Sequence, residues 1–235
     1  MNDRQIVLDT ETTGLSASDG HRIIEIGCVE MENRRLTGRT FHQYVNPERD
    51  IDEGAMEVHG LTLEMLSDKP LFEHIADEFI AFIDSAEILI HNAPFDVGFL
   101  NAELKRLKRD PLQTYCGEIT DTLAMARELH PGRRNSLDVL CDRYGVSNAH
   151  RKLHGALLDS ELLADVYLAM TRGQDSLEIV STASSQAAQV SQSGDWPPTG
   201  LAVVAAQPDE LAAHQALLDE MGEERGEPAL WATRG

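Results

Sequence analysis

Residues 154–170, HGALLDSELLADVYLAM, have the pattern of a helix that carries one acid on its apolar face. At about 100° per residue, Asp159 lies on the same side of this helix as the apolar side chains Leu162, Leu163, Val166 and Met170. Glu161 and Asp165 fall on the opposite face. An unpaired buried carboxylate costs several kcal/mol, so the pattern predicts a positively charged partner for Asp159.

The segments before this helix predict an α/β fold. Residues 6–14 open with a short apolar run, and residues 22–31 and 37–45 alternate as half-buried strands do. Three strands in a row, joined by short polar turns, favour an antiparallel start. Helical and strand patterns then alternate, with a short strand at 87–91 and helices at 70–83, 94–107 and 135–145. We therefore expect a mixed central sheet flanked by helices, in a domain that spans residues 1–172.

The composition changes after this domain. Residues 173–199 are rich in Ser, Ala and Gln without a sustained period, which is typical of a flexible linker. Residues 200–235 have the pattern of a strand and then a short helix, with one apolar face formed by Leu211, Leu218 and Met221. Because so small a segment buries little apolar surface by itself, we expect it to dock on a partner protein.

The charge balance limits how this chain could meet a polyanion. Its 235 residues include 40 acids and 20 bases, a net charge of −20, which is the wrong sign for attracting nucleic acid directly. One explanation is that the acids form an ordinary solvated surface. The other is that the chain binds a polyanion through bound cations or with the help of a partner. Three widely spaced cysteines favour neither a disulfide framework nor a zinc site. Without a signal-peptide pattern or a membrane-spanning run, we expect a cytoplasmic protein with no membrane partner.

Two other elements end or begin with acids. Asp9 and Glu11 close the first strand and, being two residues apart, project from the same face, where like charges repel unless a cation lies between them. Asp96 lies early in a helix and points with Phe99 and Leu100. Taken singly, the pair fits surface acids at a strand end, and Asp96 fits an acid favoured by the helix dipole.

Taken together, the acids of these three elements predict a metal site. An all-carboxylate set suits Mg²⁺ or Mn²⁺ better than zinc, and two such ions about 4 Å apart would hold the attacking and leaving oxygens of a phosphodiester. His154 lies in the loop or first turn before Asp159, where it could take the proton from the attacking water. A metal ion is therefore the partner that we expect for Asp159.

Other polar residues have simpler explanations. Asp121 and Asp138 lie at helix starts, where capping accounts for them. Arg151 and Lys152 fit a phosphate contact and a solvated basic pair equally well. The sequence has no phosphate-loop, dinucleotide-binding or hydrolase-elbow motif.

Three motifs carry a family resemblance. DTETTG at Asp9, HNAPFD ending at Asp96, and HGALLD from His154 to Asp159 resemble the motifs of DEDDh 3′–5′ exonucleases in order and spacing. The resemblance covers residues 4–172 and is closest to the family of proofreading epsilon subunits of bacterial DNA polymerase III. It implies a ribonuclease H-like fold and the removal of mispaired nucleotides from DNA 3′ ends.

The resemblance also implies roles for the motif residues. Asp9, Glu11 and Asp159 match ligands of two divalent cations, with Asp9 bridging both and Asp96 acting partly through water. His154 matches the general base. The pocket for the terminal nucleotide is matched by the three metal-ligand acids and by Thr12, His59, Asn92 and Phe95.

Partners follow from the same resemblance. Residues 200–235 are expected to dock on the polymerase catalytic (alpha) subunit, and Gln174–Ile179, QDSLEI, resembles a peptide that binds the sliding clamp. A small theta-like accessory subunit is a further possible partner of the exonuclease domain. Two other hypotheses are a standalone RNA-trimming exonuclease, which needs no docking tail, and a scaffold without catalysis, which needs none of the four acids.

Overall fold

The computed structural model describes residues 4–149, 151, 153–172 and 207–225. The chain divides into two units, residues 1–182 and 183–235. Within the described residues no helix is long and apolar enough to cross a membrane. The predicted linker at 173–199 and the clamp-binding peptide at 174–179 lie outside the described residues, so both stay predictions.

A five-stranded mixed sheet forms the centre of the first unit. Its strands are β1 (Arg4–Thr12), β2 (Ile23–Glu32), β3 (Arg35–Tyr44), β4 (Glu87–Ile90) and β5 (Ile119–Asp121), in the order β3-β2-β1-β4-β5. The first three strands pair antiparallel, whereas β4 is parallel to β1 and β5 is parallel to β4. The predicted mixed sheet with an antiparallel start is confirmed.

Seven α-helices of this unit are described. They are α1 (Glu53–His59), α2 (Leu63–Leu66), α3 (Phe72–Ile83), α4 (Ala93–Arg106), α5 (Thr122–Leu129), α6 (Leu137–Tyr144) and α7 (Ala156–Met170). The helices predicted from the periodicity of residues 70–83, 94–107, 135–145 and 154–170 are confirmed. The short helices α1 and α2 and the strand β5 were not predicted, because each is too short to show a sustained period.

Two apolar layers cover the two faces of the sheet. Ile6 and Leu8 of β1 point into the layer that contains α3 and α4, whereas Val7 points into the layer that contains α6 and α7. Side chains of a strand alternate between faces, so Asp9 and Glu11 lie on the same face as Val7. The first strand therefore directs its two acids towards the layer that contains α7.

The prediction that β2 is half-buried is wrong. Every residue from Ile23 to Met31 is buried, because β2 lies between β1 and β3 and is covered on both faces. Its acids pair inside the fold: Glu25 accepts a bond from His42 Nε2 at 2.7 Å, and Glu30 accepts one from Arg4 Nε at 2.8 Å. The two acids that suggest an exposed face are thus buried and accept hydrogen bonds from side chains of neighbouring strands.

Helix α7 approaches the sheet at a glycine. A Cβ atom on Gly27 of β2 would lie 2.2 Å from the carbonyl carbon of Ala156 and from the amide nitrogen of Leu157. The Ser160 hydroxyl also donates to the Gly27 carbonyl at 2.9 Å. This close approach places the first turn of α7, with Asp159, directly above β1 and β2.

The second unit contains the helix α8 (Pro208–Arg225). It has 18 residues, so the prediction of a short helix is wrong in length, and the strand predicted before it lies outside the described residues. Of the three residues on the predicted apolar face, Leu218 is buried, whereas Leu211 and Met221 are exposed. Docking of residues 200–235 on a polymerase stays a prediction.

Gly27→Ala should destabilise the protein. The added methyl group meets the backbone of α7, which cannot move aside as a flexible side chain can, and overpacking of this kind costs about 1–3 kcal/mol. Chemical denaturation measures the free energy of unfolding. Gly98→Ala in α4 is the matched control, because its Cβ would meet nothing within 4 Å and alanine favours a helix by up to about 1 kcal/mol. A Gly27→Ala protein as stable as the unchanged chain would contradict the close packing.

Candidate active site

Four acids converge from three elements, as the sequence predicted. Asp9 and Glu11 end β1, and Asp159 lies in the first turn of α7. Asp96, in the first turn of α4, accepts hydrogen bonds from the backbone nitrogen and the hydroxyl of Thr10, at 3.1 and 2.7 Å. These bonds hold the start of α4 against β1, at the residue between Asp9 and Glu11.

The acids open into one cavity of about 700 Å³. Of the predicted site residues, its lining includes Asp9, Glu11, Asn92, Phe95, Asp96, His154 and Asp159. Asn92 adopts a left-handed conformation (φ 72°) where β4 passes into α4, a backbone strain that is common at functional loops. The cavity therefore combines the predicted metal ligands, the predicted base and part of the predicted nucleotide pocket.

Thr12 and His59 do not line this cavity. The Thr12 hydroxyl is buried and donates to the Gly14 carbonyl at 2.7 Å. His59 is buried at the end of α1, and its Nδ1 accepts a bond from the Leu61 amide at 3.0 Å. Burial lowers the pKa of His59, and its Nε2 has no hydrogen-bond partner within the described part of the chain. Their role in binding a nucleotide stays a prediction.

Burial and mutual repulsion weaken the acidity of three of the acids. Burial, and then the charges of Asp96 and Glu11, raise the pKa of Asp9 well above its ordinary value. Burial, and then the charges of Asp159 and Glu25, raise the pKa of Glu11 to about 8. Burial raises the pKa of Asp96 to about 7 in spite of its bonds from Thr10. A nearby cation would favour the ionised form of all three carboxyl groups.

Asp159 has the positive partner that its helix predicts, and in this structure the partner is Arg151. Arg151 Nε lies 2.5 Å from Asp159 Oδ1, and Nη2 lies 2.6 Å from Oδ2. Although burial raises it, the contacts of His154 and Arg151 hold the pKa of Asp159 below its ordinary value. The Arg151 side chain is only 7% exposed, so of the two alternatives left open for it, that of a solvated basic residue is wrong.

Asp138 corrects a second prediction. Capping of its own helix was expected, but its Oδ1 accepts bonds from Arg151 Nη1 at 2.5 Å and from Asn148 Nδ2 at 3.3 Å. Asp121, by contrast, caps α5 as expected, since its carboxylate accepts from the amides of Leu123 and Ala124. Asp138 thus belongs to the charged lining of the cavity rather than to the cap of α6.

His154 lies in the loop before α7, as predicted. Its backbone amide donates to the Val58 carbonyl at 3.1 Å, which ties the loop to α1. Its Nδ1 lies 2.9 Å from Arg151 Nη2 and 3.4 Å from Asp159 Oδ2. The side chain is 43% exposed, so water in the cavity can reach the ring.

The donor atoms suit a divalent cation. One ligand atom each of Glu11, His154 and Asp159 can lie within 4.8 Å of one another. Asp9 and Asp96 add two more carboxylates beside them, and hard cations such as Mg²⁺ and Mn²⁺ prefer oxygen ligands. The repulsion that raises the pKa of Asp9 and Glu11 is relieved by such a cation.

Two features of the site were missed from the sequence. Glu25 is paired with Glu11 in the register of β1 and β2, and it adds a further buried acid to the same face. Its signal was an acid within an otherwise apolar strand. Across the cavity, the lining includes Arg127, Arg133 and Arg134, of which the last two form the RR pair in PGRRN.

Comparisons with known proteins show the family of this chain. The family described as Exonuclease matches residues 6–167. A DNA polymerase III subunit epsilon from Escherichia coli (strain K12) is 50% identical over 237 residues, which are 97% of each chain. Another from Pasteurella multocida (strain Pm70) is 60% identical over 178 residues, covering 74% of this chain and 70% of the relative.

Solved structures share the fold. Exonuclease X in complex with 5′ overhanging duplex DNA has a TM-score of 0.57 at 26% identity, covering 72% of this chain and 91% of that one. The nuclease domain of 3′hExo, a DEDDh family member bound to rAMP, has a TM-score of 0.62 at 19% identity, covering 73% and 92%. At that identity the second likeness concerns the fold alone.

Glu11→Gln should remove part of the pH dependence of stability. The folded-state pKa of Glu11, about 8, lies above the ordinary value of 4.5. The stability that this carboxyl contributes below pH 4.5 is therefore lost as the pH rises to 8, by up to about 1.4 kcal/mol per pH unit. Glutamine cannot ionise, so the free energy of unfolding of the variant should change less over this range.

Chemical denaturation in the presence of a chelator measures this effect. Glu161→Gln is the matched control, because Glu161 is an exposed acid on α7. Equal pH profiles for the two variants would show that Glu11 is not held in its neutral form by the fold.

Proposed function

The chain belongs to the Exonuclease family and, within it, to the epsilon subunits of DNA polymerase III, and we propose that its cavity is the site of 3′–5′ exonuclease proofreading. The observation that carries this assignment is the meeting of Asp9, Glu11, Asp96, Asp159 and His154 in one cavity. Four carboxylates and a half-exposed histidine suit the metal-dependent hydrolysis of a phosphodiester.

The family uses divalent metal ions, and we infer that Asp9, Glu11 and Asp159 hold them here. The oxygen donors favour Mg²⁺ or Mn²⁺, and the number of acids suits two ions. When bound, such ions neutralise charge on the phosphate and favour deprotonation of the attacking water. Asp96, which Thr10 holds in place, adds negative charge beside them.

His154 is the proposed general base. It is anchored through its backbone at Val58, and its imidazole borders the cavity. An imidazole that reaches the attacking water can accept its proton, and its pair with Asp159 stabilises the charge that it then carries. In this proposal the acids hold the cations, and His154 transfers the proton.

A terminal nucleotide fits the part of the cavity near α4. Asn92 and Phe95 line it, and the Phe95 ring lies 5.0 Å from that of Phe99, which steadies it as a stacking surface. A base must leave its duplex to reach this surface, and unpairing costs least where the base is already mispaired. Selectivity for errors then comes from fraying rather than from recognition of the base.

Three arginines make part of the cavity lining positive, although the chain as a whole is acidic. Arg127, Arg133 and Arg134 line the cavity, are exposed, and form no ion pair within the part of the chain that the structure describes. Guanidinium groups bind phosphate through paired hydrogen bonds. We propose that they receive the phosphates of the strand that enters the cavity.

The family membership implies partnership with a polymerase. We propose that α8 belongs to the polymerase-docking segment, since its Leu211 and Met221 are apolar and exposed. A tether would compensate for the weak attraction of a chain with a net charge of −20 for DNA, because it raises the local concentration of primer ends. Clamp binding by residues 174–179, an accessory theta-like subunit, and a cytoplasmic location remain proposals of the same kind.

Purified chain should shorten 5′-labelled DNA primers from the 3′ end, faster when the terminal pair is mispaired than when it is paired. A chelator should stop the reaction. His154→Gln should lower the rate at least about a hundredfold, the usual contribution of a general base, while Mn²⁺ binding measured by calorimetry changes little. The rates are read from gels of the labelled products.

The same assay tests the competing functions. RNA of the same sequence, if it is shortened faster than DNA, would favour an RNA-trimming enzyme. No activity with either substrate would favour a scaffold. Equal rates on paired and mispaired ends would contradict proofreading by this chain alone.

Replacing Arg133 and Arg134 together by glutamine should weaken binding of single-stranded DNA. Each lost phosphate contact should reduce the slope of log affinity against log salt by about 0.7. Fluorescence anisotropy measures this in a His154→Gln background, where hydrolysis is slow. Arg106→Gln is the matched control, an exposed arginine of α4 outside the cavity lining. An unchanged slope would remove these arginines from the path of the strand.

A further inference from the structure

Arg151 contacts three groups that surround the proposed cation site. Its guanidinium binds both oxygens of Asp159, and Nη1 binds Asp138 Oδ1 at 2.5 Å. Its Nη2 also lies 2.9 Å from His154 Nδ1. One side chain therefore contacts a proposed metal ligand, the proposed base and a second acid.

These contacts conflict with metal binding. A forked guanidinium occupies one in-plane electron pair on each Asp159 oxygen, and its positive charge beside the carboxylate repels a cation that would bind the remaining pairs. A guanidinium nitrogen can only donate, so its contact with His154 requires an unprotonated Nδ1. While Arg151 holds this position, Asp159 and the Nδ1 atom of His154 are both engaged.

Asp138 gives Arg151 a second place to bind. This acid is 53% exposed at the edge of the cavity, whereas Asp159 is 4% exposed at its base. Contact with Asp138 uses Nη1, while contact with Asp159 uses Nε and Nη2. The bond to Asp138 can thus persist after the fork to Asp159 opens, which leaves two donor nitrogens on the cavity wall.

We propose that Arg151 is an internal competitor of the divalent cation. It neutralises Asp159 before an ion binds, and it stays anchored at Asp138 when the ion takes Asp159, with its freed N–H groups available to a phosphate oxygen. This inference rests on the divalent-ion site of the proposed function. Arg151 thus stabilises the cluster of acids in the metal-free protein and lowers the apparent affinity of the site for its metal.

Calorimetric titration of the chelator-treated full chain with Mn²⁺ tests the competition. Arg151→Gln should bind Mn²⁺ at least about fivefold more tightly than Arg134→Gln, the lower end of ordinary coupling between two binding events. Arg134→Gln is the matched control, because it removes one positive charge from the same cavity without touching Asp159. The metal-free Arg151→Gln protein should also melt at a lower temperature than the unchanged chain, and Mn²⁺ should raise its melting temperature by a larger amount.

The outcomes separate this inference from the site itself. Affinity of Arg151→Gln for Mn²⁺ equal to or weaker than that of Arg134→Gln overturns the competition. If Arg151→Gln does not fold without metal, Arg151→Lys replaces it, since a single ammonium cannot fork both Asp159 oxygens, and its affinity should exceed that of the unchanged chain. An affinity of Arg151→Lys equal to that of the unchanged chain also overturns the proposal. An unchanged chain that binds no Mn²⁺ contradicts the proposed metal site instead.

Discussion

Helix α7 packs directly against the backbone of β2 at Gly27, where there is no space for a side chain between the strand and the first helical turn. Several features of the site depend on this approach. It brings Asp159 above the end of β1, it places the loop of His154 beside α1, and it lets Ser160 bond to the carbonyl of Gly27. A wider spacing between the helix and the sheet would move the acid of α7 away from the two acids of β1.

The cavity places more negative charge in its interior than the described side chains neutralise. Arg151 brings one positive charge to the two carboxylates of Asp159 and Asp138. Asp9, Glu11 and Asp96 have raised pKa values. The apolar layers on both faces of the sheet supply the stability that offsets this cost. Local conflict of this kind is expected where a site is shaped for a ligand rather than for stability.

Features that follow from the periodicity of one element could be predicted from the sequence. Contacts between elements that meet only in the folded chain could not. The position of Asp159 on an apolar helix face was visible because the helical period is regular over fifteen residues. The contact between Arg151 and Asp138 was not, because a loop and a helix start meet there only in the folded chain. Likewise, Glu25 is buried in a strand whose pattern predicts one exposed face, and the bond from His42 that satisfies it forms only when β3 pairs with β2.

The sequence separation of the site residues sets an order of events during folding. Asp9 and Glu11 belong to the first strand, whereas α7, which covers their face of the sheet, is the last described element of its unit. Contacts so far apart in sequence form late, because the entropy of closing a long loop must be overcome first. A chain emerging from the ribosome therefore carries its acids on an open sheet, and it becomes a nuclease only after residues 156–170 have docked.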